Sequence, residues 1–166
     1  MVSIRMRGSN IPGSGAGRNP AGDALTDLIL GLFRLNNLLL TSGDRLVEPL
    51  GLTSARWQVL GAIAYAERPQ PVAWLARDMG ANRQNVQRIV NDLDRAGLVT
   101  FETNPHHRRA QLVVLTDQGR QTYDAAMRLQ APWVATLADG IPASEIEAAA
   151  RVLSRVHEKL SARGST

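Results

Sequence analysis

A mainly helical fold with one small β-hairpin is predicted by three observations. Apolar residues recur at helical spacing through most of the chain. Gly80 separates a short amphipathic helix from a longer one with a polar outer face, and two alternating stretches flank Asn104-Pro105 just downstream. Helix, tight turn, helix and hairpin in that order, from Val72 to Leu115, describe a winged helix-turn-helix. In that arrangement the second helix is shaped to lie in the DNA major groove.

Composition agrees with this fold class. A chain of 166 residues fits one domain of ordinary size with a real core. Hydrophobic residues make up 44% but aromatics only 4%, so Leu, Val and Ala must fill the interior, which favours helices. The net charge of +4 is modest, yet Arg83, Arg88, Arg95, Arg108 and Arg109 concentrate it on the second helix of the turn and on the hairpin. Guanidinium forks bind guanine edges and phosphates bidentately, so an anionic partner is expected. The absence of cysteine excludes disulfides, thiolate metal sites and thiol-based peroxide sensing. The leucine-rich stretch from Leu28 to Leu40 is interrupted by Arg34, Asn36 and Asn37 and reads as too short to span a bilayer. No apolar segment follows the start, so a cytoplasmic protein with no membrane partner is expected.

Residues 1–22 are rich in Gly, Ser, Pro and Asn with scattered arginines, a flexible arm that is either a tail or a groove-reaching extension. Residues 23–50 form a long first helix through Leu25, Leu28, Ile29, Leu32, Leu35 and Leu39, with Thr41-Ser42-Gly43 as an end or a bend. A DNA-binding lobe spans 51–115. In it Thr53 caps a second helix to about Ala66 that buries Trp57, Leu60 and Ile63 or Ala64, and Pro69 and Pro71 then break the chain. The third helix buries Val72, Leu75, Ala76 and Met79, while Trp74 lies off that stripe. Asn82 caps the fourth helix, where Val86, Ile89, Val90, Leu93 and Gly97 share one stripe. A two-stranded hairpin follows, from Leu98 to Thr103 and Ala110 to Leu115, with His106, His107, Arg108 and Arg109 at its tip. Residues 116–163 hold two more helices: one capped by Thr116 with a kink expected at Pro132, and one capped by Ser144 with a narrow apolar seam. A small winged core does not cover the apolar faces of the first, fifth and last helices, so these are expected to form the dimerisation region of a homodimer.

Site residues follow from helix position. Gln84, Asn85 and Arg88 are assigned to the major-groove floor with Gln87 and Asn91 beside them, since Gln and Asn suit adenine and Arg suits guanine. Arg83, Arg95 and Arg108 are assigned to phosphates and Arg109 to the minor groove. A two-fold protein then implies double-stranded DNA with a near-palindromic operator. No cofactor is implied. Adjacent strand residues point to opposite faces, so His106 and His107 are not expected to chelate a metal, and no nucleophile, phosphate loop or catalytic constellation is visible. The other class that fits is a winged-helix module for protein–protein contact, which would carry apolar anchors on the outward face of the fourth helix.

Three linked stretches resemble the multiple-antibiotic-resistance regulator (MarR) family: LTSARWQVL from Leu52, LARDMGANRQNVQRIVNDLDRAGLV from Leu75, and RRAQLVVLTDQGR from Arg108. The likeness extends from about Asp23 to Ala162. It implies a homodimer joined by its terminal helices. It also implies a repressor released from DNA by a small aromatic or phenolic ligand held between those helices and the DNA-binding lobe. Arg34, Asn37, Arg56 and Trp57 are the candidate ligand residues by helix position, with core packing as the other role for Trp57. One departure stands out: His107 occupies the wing position, two before Arg109, where family members usually carry an acid. A histidine cannot hold the arginine fork as an anion would. Protonation of His106 and His107 is expected to strengthen DNA binding as pH falls.

Overall fold

The computed structural model describes residues 19–105, 107 and 109–163. The expected arm, up to residue 18, lies outside the described residues, as do His106 and Arg108. The chain divides into two compact units, residues 1–39 and 40–166. The described part of the first is the leading portion of helix α1 (Pro20–Val47), and the second holds the remaining elements.

Helix α1 begins at Pro20, three residues before the expected start; a proline fits the first turn because its missing N–H would be unpaired there anyway. It does not end at Thr41-Ser42-Gly43 but continues to Val47, followed by a short 3₁₀ turn, Glu48–Leu50. The continuation has a tertiary cause. The Ser54 amide donates to Asp44 Oδ1 at 2.6 Å and its hydroxyl to the Leu40 carbonyl at 2.7 Å, which ties the end of α1 to the start of α2 (Ser54–Tyr65). Gly43 permits the contact, since a Cβ there would stand 2.5 Å from Ser54 Oγ. The helical stretch Pro20–Leu50 is 31 residues long with a mean hydropathy of 1.3 in its most apolar window, enough by length and composition to cross a bilayer. That corrects the expectation of too short a span. Asp27 and Arg34 still interrupt it, and a core helix of a soluble protein or a signal sequence passes the same test.

The second unit is built around α2. Thr53 caps it by accepting from the Arg56 amide, and Val59, Leu60 and Ile63 are buried. Trp57 is only half-buried against the core, less than expected. A two-residue strand β1 (Gln70–Pro71) runs directly into α3 (Val72–Asp78), then α4 (Arg83–Arg95), β2 (Val99–Glu102) and β3 (Leu112–Leu115). The strand order is β1-β3-β2, all antiparallel, with Gln70 opposite Val113 and Phe101 opposite Val113 on the other side. The expected two-stranded hairpin is therefore a three-stranded sheet with shorter strands. Prolines break helices but are tolerated on a sheet edge, which is where Pro71 sits.

Helix α5 (Asp117–Ala138) is capped by Thr116, whose hydroxyl accepts from the Gly119 amide at 3.0 Å, and it continues through Pro132. Its buried Tyr123 meets Tyr65 edge-on at 6.0 Å between ring centroids. Burial, with Tyr65 and Asp124 adding to it, pushes the Tyr123 phenol above its ordinary range. Helix α6 spans Ala143–Arg163. It starts one residue before Ser144; the Pro142 carbonyl accepts from the Glu145 and Ile146 amides, so Ser144 lies inside the first turn instead of capping it. Ile146, Val152, Leu153 and Leu160 on α6 are exposed, as are Phe33 (64%) and Leu38 (68%) on α1.

Candidate nucleic-acid interface

The turn between α3 and α4 follows from local chemistry. Gly80 adopts φ of 61°, a left-handed value costly for other residues. The Ala81 amide returns to the Ala76 carbonyl at 2.8 Å and the Gly80 amide to Arg77 at 3.0 Å, the paired bonds that close a helix end. Asn82 then opens α4: its Oδ1 accepts from the Gln84 and Asn85 amides at 2.9 and 3.2 Å.

Val86, Ile89, Val90 and Leu93 bury one side of α4. Gly97 does not extend that stripe. At φ of 72° it terminates the helix, with the Leu98 amide bonded to the Leu93 carbonyl at 2.9 Å. Arg83, Gln84, Asn85, Arg88, Asn91 and Arg95 are exposed on the remaining surface, and Gln87 is half-buried. These side chains are partly held before any partner arrives. Arg88 Nη2 donates to Asn85 Oδ1 at 3.1 Å, and Gln87 Nε2 to Asn91 Oδ1 at 2.9 Å. Asp92, which the sequence reading passed over, takes an ion pair from Arg88 at 3.7 Å and another from Arg95.

Strands β2 and β3 carry the wing. The His107 amide donates to the Asn104 carbonyl at 3.3 Å and the Ala110 amide to the His107 carbonyl at 2.9 Å, which folds the tip back. His107 and Arg109 are exposed there. A cleft of about 830 Å³ is bordered by Trp74, Pro71, Arg83, Asn104, His107 and Arg109, so the wing and the start of α4 share one surface. Trp74 gains an account here. It is 44% exposed, with the guanidinium carbons of Arg68 and Arg77 5.8 and 5.6 Å from its ring centroid. Arg68 and Arg77 were not singled out from sequence; the off-stripe Trp74 with Arg77 three residues on was the only available signal.

The candidate ligand residues fall in both units and are described unit by unit. Arg34 and Asn37 are exposed on α1 in the first unit. In the second, Trp57 packs against the core, while Arg56 borders a cleft of about 290 Å³ with Asp92, Arg95 and Ala96 of α4. Among the described residues no His, Cys, Asp or Glu cluster has metal-holding geometry.

The profile of the MarR family matches residues 50–110. The uncharacterized protein Rv2011c of Mycobacterium tuberculosis is 35% identical over 140 residues, 84% of this chain and 96% of that one. The transcriptional activatory protein BadR of Rhodopseudomonas palustris is 34% identical over 102 residues, 58% of this chain and 57% of its own. Among solved structures, the transcriptional repressor CouR bound to a 23-mer DNA duplex superimposes with a TM-score of 0.70 at 23% identity, covering 85% of this chain and 99% of that one. CouR from Rhodococcus jostii has also been solved with p-coumaroyl-CoA, again at a TM-score of 0.70 and 23% identity, covering 78% and 91%.

Proposed function

The chain belongs to the MarR family of transcription regulators, and on that premise we propose that it is a cytoplasmic homodimer that represses transcription by occupying a near-palindromic DNA operator. The observation that carries this reading is the outward face of α4. It presents Gln84, Asn85, Arg88 and Asn91 with no apolar anchor, and Arg88 is already braced by Asn85. Polar side chains of this kind suit base edges, whereas a protein-docking face would centre on buried apolar residues. Arg83, Arg95 and Arg109 are exposed, and together with Arg108 they are the residues proposed for phosphate and minor-groove contacts. A second copy of the chain supplies the cover that the exposed leucines and Phe33 of α1 and the seam of α6 lack, so residues 23–50 and 116–163 serve dimerisation and 51–115 serves DNA binding. DNA-bound and ligand-bound relatives of the same fold support release by a small aromatic or phenolic effector. Arg34, Asn37, Arg56 and Trp57 remain the residues proposed for it.

Two substitutions separate specific from general contacts. Arg88→Ala should cost about 1–3 kcal/mol on the preferred operator and relax preference at one position of each half-site. Arg95→Ala should weaken binding to all sequences alike and lower the salt slope by about one. Anisotropy titrations of both variants on operator and scrambled duplexes check this. An equal loss on the two duplexes for Arg88→Ala would remove Arg88 from base reading.

A further inference from the structure

Asp92 stands where a DNA-reading helix gains nothing from negative charge. It shares one stripe of α4 with Asn85, Arg88 and Arg95, at the spacing that brings side chains together on a helix. Its side chain is 21% exposed, against 68% for Arg88 and 74% for Arg95. One carboxylate thus sits low between two more exposed guanidinium groups, hydrogen-bonded to Arg95 and ion-paired with Arg88 at 3.7 Å. Arg95 is also tied to the Asn91 carbonyl at 3.3 Å, and Arg88 to Asn85 at 3.1 Å. Arg56 of α2 lines the same small cleft as Asp92 and Arg95.

We propose that Asp92 is a specificity-determining residue that works by restraining the arginines of α4, an inference that rests on the DNA-binding reading above. A phosphate on any sequence can attract Arg88 and Arg95, but it must compete with a carboxylate already paired with them and meets that carboxylate's repulsion. Non-specific binding, which is almost wholly electrostatic, bears this cost without return. On the preferred sequence, bidentate contact of Arg88 with a guanine edge offsets it. Asp92 therefore lowers affinity for random DNA more than affinity for the operator, and positions Arg88 for one approach to the base.

The test compares wild-type, Asp92→Asn and Asp92→Glu proteins on two probes over a range of salt. One probe is a duplex enriched from a random pool by the wild-type protein, and the other is a scrambled duplex of the same length and composition. Asp92→Asn should bind the scrambled duplex about tenfold more tightly, with a salt slope steeper by about one, while operator affinity changes by less than about threefold. Asp92→Glu, which keeps the charge, should retain most of the wild-type ratio. A purely structural role predicts equal shifts on both probes, and that result, or an unchanged ratio in a folded Asp92→Asn protein, overturns the proposal. Failure of the wild-type protein to bind any duplex in a salt-sensitive way would instead sink the DNA-binding reading and the inference with it.

Discussion

Raising salt from 50 to 200 mM will lower the affinity of this protein for its operator by ~10⁴. The expectation follows from counterion release. If Arg83, Arg95 and Arg108 of both protomers each neutralise a phosphate and Arg109 of each displaces a cation from the minor groove, roughly eight condensed cations are freed, and log affinity falls against log salt with a slope of about −7. Arg83, Arg95 and Arg109 are exposed, and Arg95 is held by ion pairing to Asp92 on a rigid helix rather than buried in a stable bridge. Anisotropy titrations at four salt concentrations measure the slope. A slope shallower than about −3 would mean that the wing and the flanks of α4 do not grip the backbone together.

Gly119→Ala will destabilise the lobe by about 3 kcal/mol or more, at the upper end of overpacking costs. The site is unusually tight. Thr116 donates from its amide to the Leu98 carbonyl at 3.1 Å and from its hydroxyl to the Gly97 carbonyl at 2.6 Å, drawing the start of α5 onto the exit of α4. A Cβ on Gly119 would fall 1.8 Å from the Leu98 oxygen and 2.8 Å from its carbon. Those are backbone atoms, which cannot rotate aside. Either the Thr116 cap or the α4 terminus must move, and the second displaces the wing. Thermal unfolding should show a fall of roughly 10 °C, given a few degrees per kcal/mol in a domain of this size. Gly61→Ala is the matched control, because its Cβ would lie at an ordinary 3.5 Å from the Tyr123 ring. If Gly119→Ala melts within about 2 °C of wild type, the close approach of α5 to Leu98 is wrong.

The parts of the fold that were legible in the sequence are those decided within one turn of helix. The buried stripe of α4 and its polar complement follow from a period of 3.6 residues, and the structure buries Val86, Ile89, Val90 and Leu93 as that period requires. The caps at Thr53, Asn82 and Thr116 were legible because a short side-chain oxygen ahead of a helix has a specific amide to bond. What was missed depends on distant partners. Strand β1 is two residues bounded by prolines, and only its pairing with β3 makes it a strand. The continuation of α1 past Gly43 depends on Ser54, ten and more residues away. Gly97 continues the apolar stripe on paper, yet its positive φ ends the helix.

The candidate site divides along the same line. Exposure of Gln84, Arg88, Asn91 and Arg95 was readable from periodicity. Asp92 was not, because its importance lies in bonding two arginines that each looked unencumbered in sequence. Trp74 has no stripe to explain it; its setting comes from Arg68 on the approach to β1 as well as Arg77 on its own helix. Ligand residues are the least legible of all. Arg56, a candidate only by helix position, borders α4 beside Asp92 and Arg95.

The most direct measurement is selection of duplexes from a random pool by the purified full-length protein, followed by sequencing. Two copies of α4 related by a two-fold axis should enrich an inverted repeat whose half-site centres lie about one helical turn apart, roughly 34–36 Å. Recovery of that repeat, with a guanine position lost in the Arg88→Ala selection, is the predicted result. A pool that stays random, or one enriched for a single unrepeated site indifferent to Arg88, would contradict paired recognition helices as the basis of function.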